Sequence, residues 1–274
     1  MPRLAVKVAY DGQGFHGSAR QPGLATAEGE ILHALRRARI VSDVSAARFQ
    51  IASRTDRGVS AFGNVIAFNT ALEPFAAVRA LNAKLSRVWA WAAVRVPPDF
   101  SPRRALGRWY RYELSPDHES EKMQSVLSLF EGQHDFRNFT RDRTRTVLRI
   151  DQAKATRDGD LVALDFRAPS FRWNLVRRLV SAALGVESGA ITLGEVVRAL
   201  EGTSRSDLGL APPEGLSLMD VFFDLEFERV KDSTTLDRVR QLRSERFRSL
   251  RFVEAVVGRL EGSLAALEAE ETSP

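Results

Sequence analysis

The stretch Pro97-Pro98-Asp99-Phe100-Ser101-Pro102 constrains this chain more than any other feature. Three prolines in six residues end regular structure, and the elements on either side follow the same order. Upstream, Leu4 to Tyr10 alternates and predicts a strand. Thr26 caps a predicted helix running through Glu30, Ile31, Leu35 and Ala38. A strand around Phe49-Gln50-Ile51 follows, then a turn at Thr55-Asp56-Arg57-Gly58 and a strand from Asn64 to Phe68. Pro74 suits the first turn of a helix reaching about Leu85, and Val88 to Val96 alternates strictly. Downstream, a strand over Arg108 to Leu114 precedes a helix near Glu121–Glu131. Two strands, about Thr146–Thr156 and Leu161–Arg167, meet at an Asp158-Gly159 turn. A helix over about Arg172–Gly185 comes next, then a second that begins at the capping box Thr192-Leu193-Gly194-Glu195, and a strand from Leu218 to Phe227 closes the set.

The repeated order predicts an α+β architecture of two ferredoxin-like (RRM-like) βαββαβ units, residues 1–100 and 101–231, although no sequence repeat accompanies it. Such a unit carries helices on one sheet face and leaves the other open, the layout RNA-recognition domains use. Fold alone does not fix function. Residues 232–274 form a predicted helical extension, in which Leu236, Val239, Leu242, Phe247, Leu250 and Val253 recur near helical spacing. Its seven bases and eight acids suit a packing or dimer helix better than an RNA-binding arm.

The net charge of +5 is unevenly divided. Residues 1–150 hold 23 basic and 14 acidic groups, net +9, and residues 151–274 hold 17 and 21, net −4. That asymmetry points to an anionic partner for the first half. Only five of the bases are Lys, and guanidinium forks suit phosphate oxygens. An Arg- and Ala-rich composition follows equally from a GC-rich genome. The absence of Cys excludes disulfides, thiol catalysis, iron–sulfur clusters and Cys-ligated zinc. His16, His33, His118 and His134 are scattered without an H-E-x-x-H pattern, so no metal site is expected. No G-x-G-x-x-G or Walker spacing occurs, so no nucleotide cofactor is expected. Apolar runs fall far short of the roughly 18 residues of a membrane span, and the first residues enter a strand pattern with no signal peptide. A soluble cytoplasmic protein is the expectation.

Four segments hold candidate chemistry. Tyr10-Asp11-Gly12-Gln13-Gly14-Phe15-His16-Gly17, ending in Arg20-Gln21-Pro22, is a glycine-rich loop that follows a strand. Ser53-Arg54-Thr55-Asp56-Arg57-Gly58-Val59-Ser60-Ala61 sets one carboxylate between two guanidinium groups. Nearby cations favour the ionised form a nucleophile or base requires, while Asp-Arg-Gly is equally an ordinary turn. In Arg103 to Tyr112 the strand pattern puts Tyr110, Tyr112 and Leu114 on one face and Trp109, Arg111 and Glu113 on the other. Arginines for phosphates and rings for stacking suit RNA, and aromatic strand residues equally suit a core. Ser170 to Val180 predicts a helix with Phe171, Leu175 and Arg178 on one face and Trp173 four residues before Arg177. A cation among bulky apolar groups can partner a buried carboxylate, or it can snorkel to the surface.

Taken in order over roughly residues 3–228, these segments resemble the tRNA pseudouridine synthase A (TruA) family, in particular its archaeal and eukaryotic branch. The family pattern Y-D-G-x-x-F-x-G-x-x-x-Q-P stands here as Tyr10–Pro22, and R-T-D-x-G-V-x-A as Arg54–Ala61. The R-x-Y-x-Y strand is Arg108–Tyr112, and the phenylalanine-led helix containing V-R is Phe171–Arg177. Glu131-Gly132-Gln133-His134-Asp135-Phe136 and Pro213-Glu214-Gly215-Leu216 are further similar stretches.

The resemblance implies an isomerase that converts uridine to pseudouridine in the anticodon stem-loop of tRNA, at about positions 38 to 40, without a cofactor and as a homodimer. Asp56 would be the catalytic aspartate, Arg177 would pair with it and keep it ionised, and Tyr110 would stack on the target base and assist proton removal at C5. Arg54 and Arg57 would border the active-site loop. RNA contacts would fall to the first loop, through Tyr10, Phe15, His16, Arg20 and Gln21, and to Arg108 and Arg111. The two units would face each other across the cleft, one supplying Asp56 and the other Arg177 and Tyr110. Ser60 stands where the bacterial branch has His, Trp109 where a basic residue is common, and Ser18-Ala19 at positions often aromatic. Two other readings compete. A non-catalytic RNA-binding protein on the same scaffold would need no carboxylate beside Arg54. A carboxylate hydrolase would need a second acid near Asp56, and Asp11, the nearest candidate, is better suited to supporting its own loop.

Overall fold

β1 (Arg3–Tyr10) is buried along almost its whole length, which makes it a central strand. It pairs antiparallel with β3 (Ser60–Asn69) on one side and β4 (Val88–Val96) on the other, while a short β2 (Gln50–Ile51) joins the far end of β3. A computed structural model of the chain describes residues 1–41, 43–202 and 206–271. The last three residues of the expected extension therefore lie outside the described residues. α1 (Ala27–Arg37) is capped by Thr26, whose hydroxyl accepts from the Gly29 N–H, and α2 (Pro74–Asn82) begins on its proline. The order β1-α1-β2-β3-α2-β4 is the one the alternation predicts, with β3 starting four residues earlier, at Ser60.

The second half runs β5 (Gly107–Leu114), α3 (Ser120–Leu127), β6 (Gly132–Asp135), β7 (Val147–Ile150), β8 (Gln152–Asp158), β9 (Leu161–Ala168), α4 (Leu175–Glu187), α5 (Leu193–Glu201) and β10 (Leu216–Phe222). Several boundaries differ from expectation, each for a local reason. The strand expected over Thr146–Thr156 is two strands. β7 pairs with β6 in a separate two-stranded sheet, the chain bends at Asp151, and β8 pairs with β9. The helix expected to reach Glu131 stops at Leu127 and tightens into a 3-10 turn over Ser128–Phe130. The helix expected from Arg172 starts at Leu175, because Asn174 holds the left-handed conformation at φ 65°. Phe171 and Trp173 thus lie in the approach to α4 and not on its face. β10 ends at Phe222, and the chain then returns so that β11 (Glu228–Arg229) can pair with β4. The predicted capping box is present, with Thr192 and Glu195 bonding each other's backbone N–H.

Both halves belong to one mixed sheet in the order β11-β4-β1-β3-β10-β5-β9-β8, with β2 also on β3. The halves therefore meet edge to edge, through a short parallel seam in which Ser60 faces Ser217 and Ala61 faces Leu218. Next to the seam, Gly63 has no room for a side chain: a Cβ there would lie 2.6 Å from Asp220 Oδ1 and 2.7 Å from the Met219 carbonyl. Lys7 on β1 reaches over β3 to Asp220 on β10, with Nζ 2.5 Å from Oδ1. Its ammonium also lies 5.5 Å from the Trp91 ring centre and 5.2 Å from that of Phe227. Residues 231–274 fall in a separate unit, whose described part is the long helix α6 (Ser233–Glu271).

The Lys7 side chain is 11% exposed and that of Asp220 is 27% exposed. Removing the cation alone leaves a half-buried carboxylate without its partner, so Lys7→Met should lower stability by about 2–3 kcal/mol in urea unfolding. Replacing both, as Lys7→Met with Asp220→Asn, should recover more than half of that loss, because an amide oxygen can still accept the Val221 N–H.

Candidate active site

Asp56 sits in the loop between β2 and β3, and the glycine-rich loop after β1 locks that segment in place. Ser18 and Thr55 exchange backbone and side-chain bonds: the Ser18 N–H donates to the Thr55 carbonyl at 3.0 Å, and the Thr55 N–H to Ser18 Oγ at 2.7 Å. Below them, the buried Tyr10 hydroxyl bonds Thr55 Oγ1 at 2.9 Å and accepts from Asn64 Nδ2, whose other bonds tie down the Ser53 backbone. Gly12 explains the Tyr-Asp-Gly sequence in steric terms. A Cβ there would lie 2.3 Å from the Val59 carbonyl, so only glycine lets the first loop approach the segment after Asp56. Asp11 accepts the Gln13 N–H, the loop-supporting role anticipated for it.

The groups that hold the Asp56 carboxylate come from the other half of the sheet. Arg177, on the first turn of α4, places Nη1 3.4 Å from Asp56 Oδ2 while its Nε donates to the Ala211 carbonyl at 2.7 Å. Trp173 donates its indole N–H to Asp56 Oδ1 at 3.1 Å. The backbone of Trp173 is itself fixed: its carbonyl accepts from Thr140 Oγ1 and the Arg141 N–H, and its N–H donates to Asp142. The Arg141 guanidinium lies 5.2 Å from the Trp173 ring centre. Sequence reasoning had Trp173 only as a neighbour of Arg177. The missed signal is Asn174, a residue type that tolerates a left-handed backbone and so redirects the residue before it.

Tyr110 on β5 packs edge-to-face on Phe171, with centroids 5.1 Å apart, and is buried. Burial above all, then Tyr10 and Asp56, pushes its phenol well above the usual tyrosine value, with Arg108 and Ser53 pulling weakly the other way. The group is a neutral phenol at neutral pH. Ser53, whose hydroxyl is buried beside the Tyr110 phenol, lines the same cavity.

These residues line a cavity of about 880 Å³ that opens to solvent. Of the residues anticipated from sequence, His16, Gln21, Arg54, Asp56, Arg57, Arg108, Tyr110 and Arg177 border it, and Arg103, Arg172, Trp173 and Phe171 join them. Tyr10 and Phe15 are buried beneath the first loop and pack edge-to-face, so they shape it from below. Arg20 is exposed outside the lining. Arg108 is buried with its guanidinium bonded to the carbonyls of Arg103, Ala105 and Pro169. Arg111 lies on the opposite face of β5 from Tyr110, where it grips Asp165 through two bonds of 2.9 Å and Asp158 through a third. Among the described residues no three His, Asp or Glu side chains come together in a group that could hold a metal ion.

Comparison with known proteins places the chain among relatives of one name. A family model described as tRNA pseudouridine synthase matches residues 126–224. A protein of Thermococcus sibiricus named tRNA pseudouridine synthase A is 39% identical over 90% of this chain and 94% of its own length. One of the same name from Pyrococcus abyssi is 41% identical over 90% of this chain and 94% of its own. Another, from Methanothermobacter thermautotrophicus, is 37% identical over 99% of each.

Tyr10, Tyr110 and Tyr112 are the three tyrosines of the chain, and burial raises all three phenols. Phenolate absorbance at 295 nm should therefore be weaker in the native protein at pH 10 than in the guanidinium-unfolded chain, which is half ionised there. The sign follows from linkage: groups raised in the folded state support it fully below about pH 10, and that support drains away as pH climbs through the folded values.

Proposed function

Because the chain belongs to the tRNA pseudouridine synthase A family, we propose that it isomerises uridine to pseudouridine in tRNA with Asp56 as the catalytic aspartate. The carrying observation is the Asp56 carboxylate, whose two oxygens are held by Arg177 and Trp173 in a cavity edged by arginines; Asp142, the other acid in the lining, accepts the Trp173 backbone N–H. The reaction breaks the C1′–N1 glycosidic bond, turns the uracil and joins C5 to C1′, with a proton lost from C5. A carboxylate can begin it by attack at the base or the sugar, or by taking a sugar proton, and none of these routes needs a redox partner or phosphate donor. About 880 Å³ accommodates a nucleotide drawn out of its stack. Tyr110 forms a ring wall for the uracil. As a neutral phenol it serves proton transfer at C5 only by relaying to another group. Exposed Arg54 and Arg57 flank the carboxylate, where phosphates on either side of the flipped uridine would pass.

The rest of the reading follows the family. The target is the anticodon stem-loop, at about positions 38 to 40, reached by a homodimer in the cytoplasm. Each half of the sheet is a ferredoxin-like unit, 1–100 and 101–231. The strand orders β4-β1-β3-β2 and β10-β5-β9-β8, which match each other, support this. RNA contacts fall to His16, Arg20, Gln21, Arg54 and Arg57, while Tyr10, Phe15, Arg108 and Arg111 hold the surfaces that make them.

Tritium release from tRNA carrying C5-labelled uridine tests the assignment. The wild-type protein should release tritium and Asp56→Ala should release none above background. Equal release by both removes Asp56 from the chemistry, and tRNA binding without release by either makes the protein a binding module. Trp173→Phe keeps the ring but removes one donor to a charged acceptor, worth roughly 1.5–3 kcal/mol. It should slow single-turnover isomerisation about 10- to 100-fold and leave tRNA affinity within about twofold.

A further inference from the structure

We propose that the loop between β6 and β7 is an arm that grips the tRNA backbone and aims the Asp56 carboxylate. Arg143 and Arg145 take phosphates, and the same loop sets Trp173 on Asp56. This deepens the functional reading above and rests on tRNA being the substrate. The root of the loop belongs to the core. Phe136 and Phe139 are fully buried, the Phe136 N–H donates to the Thr146 carbonyl at 2.9 Å, and Asn138 Nδ2 donates to the Ala199 carbonyl at 2.9 Å. Beyond that root, residues 140–146 are all Thr, Arg or Asp, a composition that core packing does not call for. Arginines recur there at alternate positions, 141, 143 and 145, and all three are exposed.

Ion pairing separates these arginines from the others of the hairpin. Arg137 and Arg149, towards its two ends, each pair with an aspartate two residues away, Asp135 and Asp151. Among the described residues, Arg141, Arg143 and Arg145 pair with no carboxylate. The one acid between them, Asp142, is turned inward, its carboxylate accepting the Trp173 N–H at 3.3 Å. Like charges so close in sequence repel unless an outside anion sits among them, and a run of phosphates supplies that anion. Arg145 also holds a left-handed backbone at φ 55°, and its carbonyl accepts from Arg172 Nε at 3.0 Å, which ties the tip to a residue lining the cavity.

The link to the carboxylate runs through Trp173. Thr140 Oγ1 and the Arg141 N–H donate to its carbonyl, Asp142 accepts its N–H, and the Arg141 guanidinium lies 5.2 Å from its ring centre. A phosphate that holds the loop therefore also holds the indole that donates to Asp56 Oδ1. Binding energy from a part of the RNA remote from the reacting bond is in this way turned into alignment of the carboxylate.

Fluorescence anisotropy of a labelled tRNA transcript, titrated with the full-length chain over a series of salt concentrations, tests the grip. Arg143→Gln with Arg145→Gln should weaken binding about 10- to 30-fold and flatten the dependence of log affinity on log salt by about 1.5. Arg137→Gln with Arg149→Gln removes the same charge from the paired arginines and should flatten it by less than about 0.5. Equal flattening by the two pairs would show a bulk charge effect and overturn the arm. The aim is tested at Asp142. Asp142→Ala and Asp142→Asn both discharge the residue, but only Asn keeps an acceptor for the Trp173 N–H. At saturating tRNA, single-turnover tritium release by the Ala variant should be about 5- to 10-fold slower than by the Asn variant. In a Trp173→Phe background, which has no indole N–H to aim, that gap should close to within about twofold. Equal rates in the first comparison, or a gap that persists in the second, would overturn the link to Asp56. The functional reading fails separately. Tritium release by the wild type with an unchanged salt slope in the Arg143 and Arg145 variant removes the arm and leaves Asp56 in place. No release by the wild type removes the isomerase, while a flattened slope still supports the grip on RNA.

Discussion

The parallel seam between β3 and β10 is the constraint on which the rest of the site depends. Parallel strands start at the same end, so the segment before β3, with Asp56, and the segment before β10, with Ala211 to Gly215, emerge side by side. Arg177 uses this adjacency directly, binding Asp56 with one nitrogen and the Ala211 carbonyl with another. Tyr112 adds a bond from its hydroxyl to the Pro212 carbonyl. With two residue pairs in register, the seam is short for what it holds in place. The Lys7–Asp220 pair, which ties the strand beyond β3 to β10, compensates on the opposite face, and the bare Gly63 permits the close approach.

Much of this was legible in the sequence, for identifiable reasons. Strand alternation and caps at Thr26 and Thr192 are local signals, and they located most elements to within a few residues. Asp56 with Arg177 followed from the resemblance, and the two do meet. What failed to show depends on distant partners. Asp151 breaks a strand because its N–H turns to Arg167, and nothing in a run of alternating residues announces that. Edge-to-edge joining of the halves rests on Gly63, Lys7 and Asp220, three residues spread over more than two hundred positions. Trp173 points at Asp56 because Asn174 adopts an unusual backbone angle, which sequence permits without requiring.

The uneven charge has a similar lesson. Net positive charge in the first 150 residues suggested one basic surface, yet its arginines are divided among different tasks. Arg3 is fully buried, with its guanidinium bonded to Phe100, Arg48, Asn69 and Gln50. Arg108 is an internal brace, and Arg111 is neutralised by two acids. The cations left exposed at the cavity, Arg54, Arg57 and Arg103, are fewer than the count implied, but they stand around the one carboxylate that matters. Counting charges found the correct half of the chain and overstated how much of it faces a ligand.

The clamp on Asp56 has a consequence for heat and for drift. Its loop belongs to one half of the molecule and both donors to its carboxylate belong to the other. A hinge of a few degrees at the seam would leave every strand intact and the arginine rim in place, yet would take the carboxylate out of aim. Such a protein should therefore fall silent on warming before it melts, while still gripping its ligand. A substitution far from the cavity that loosens the seam would look in an assay like damage to the catalytic group itself.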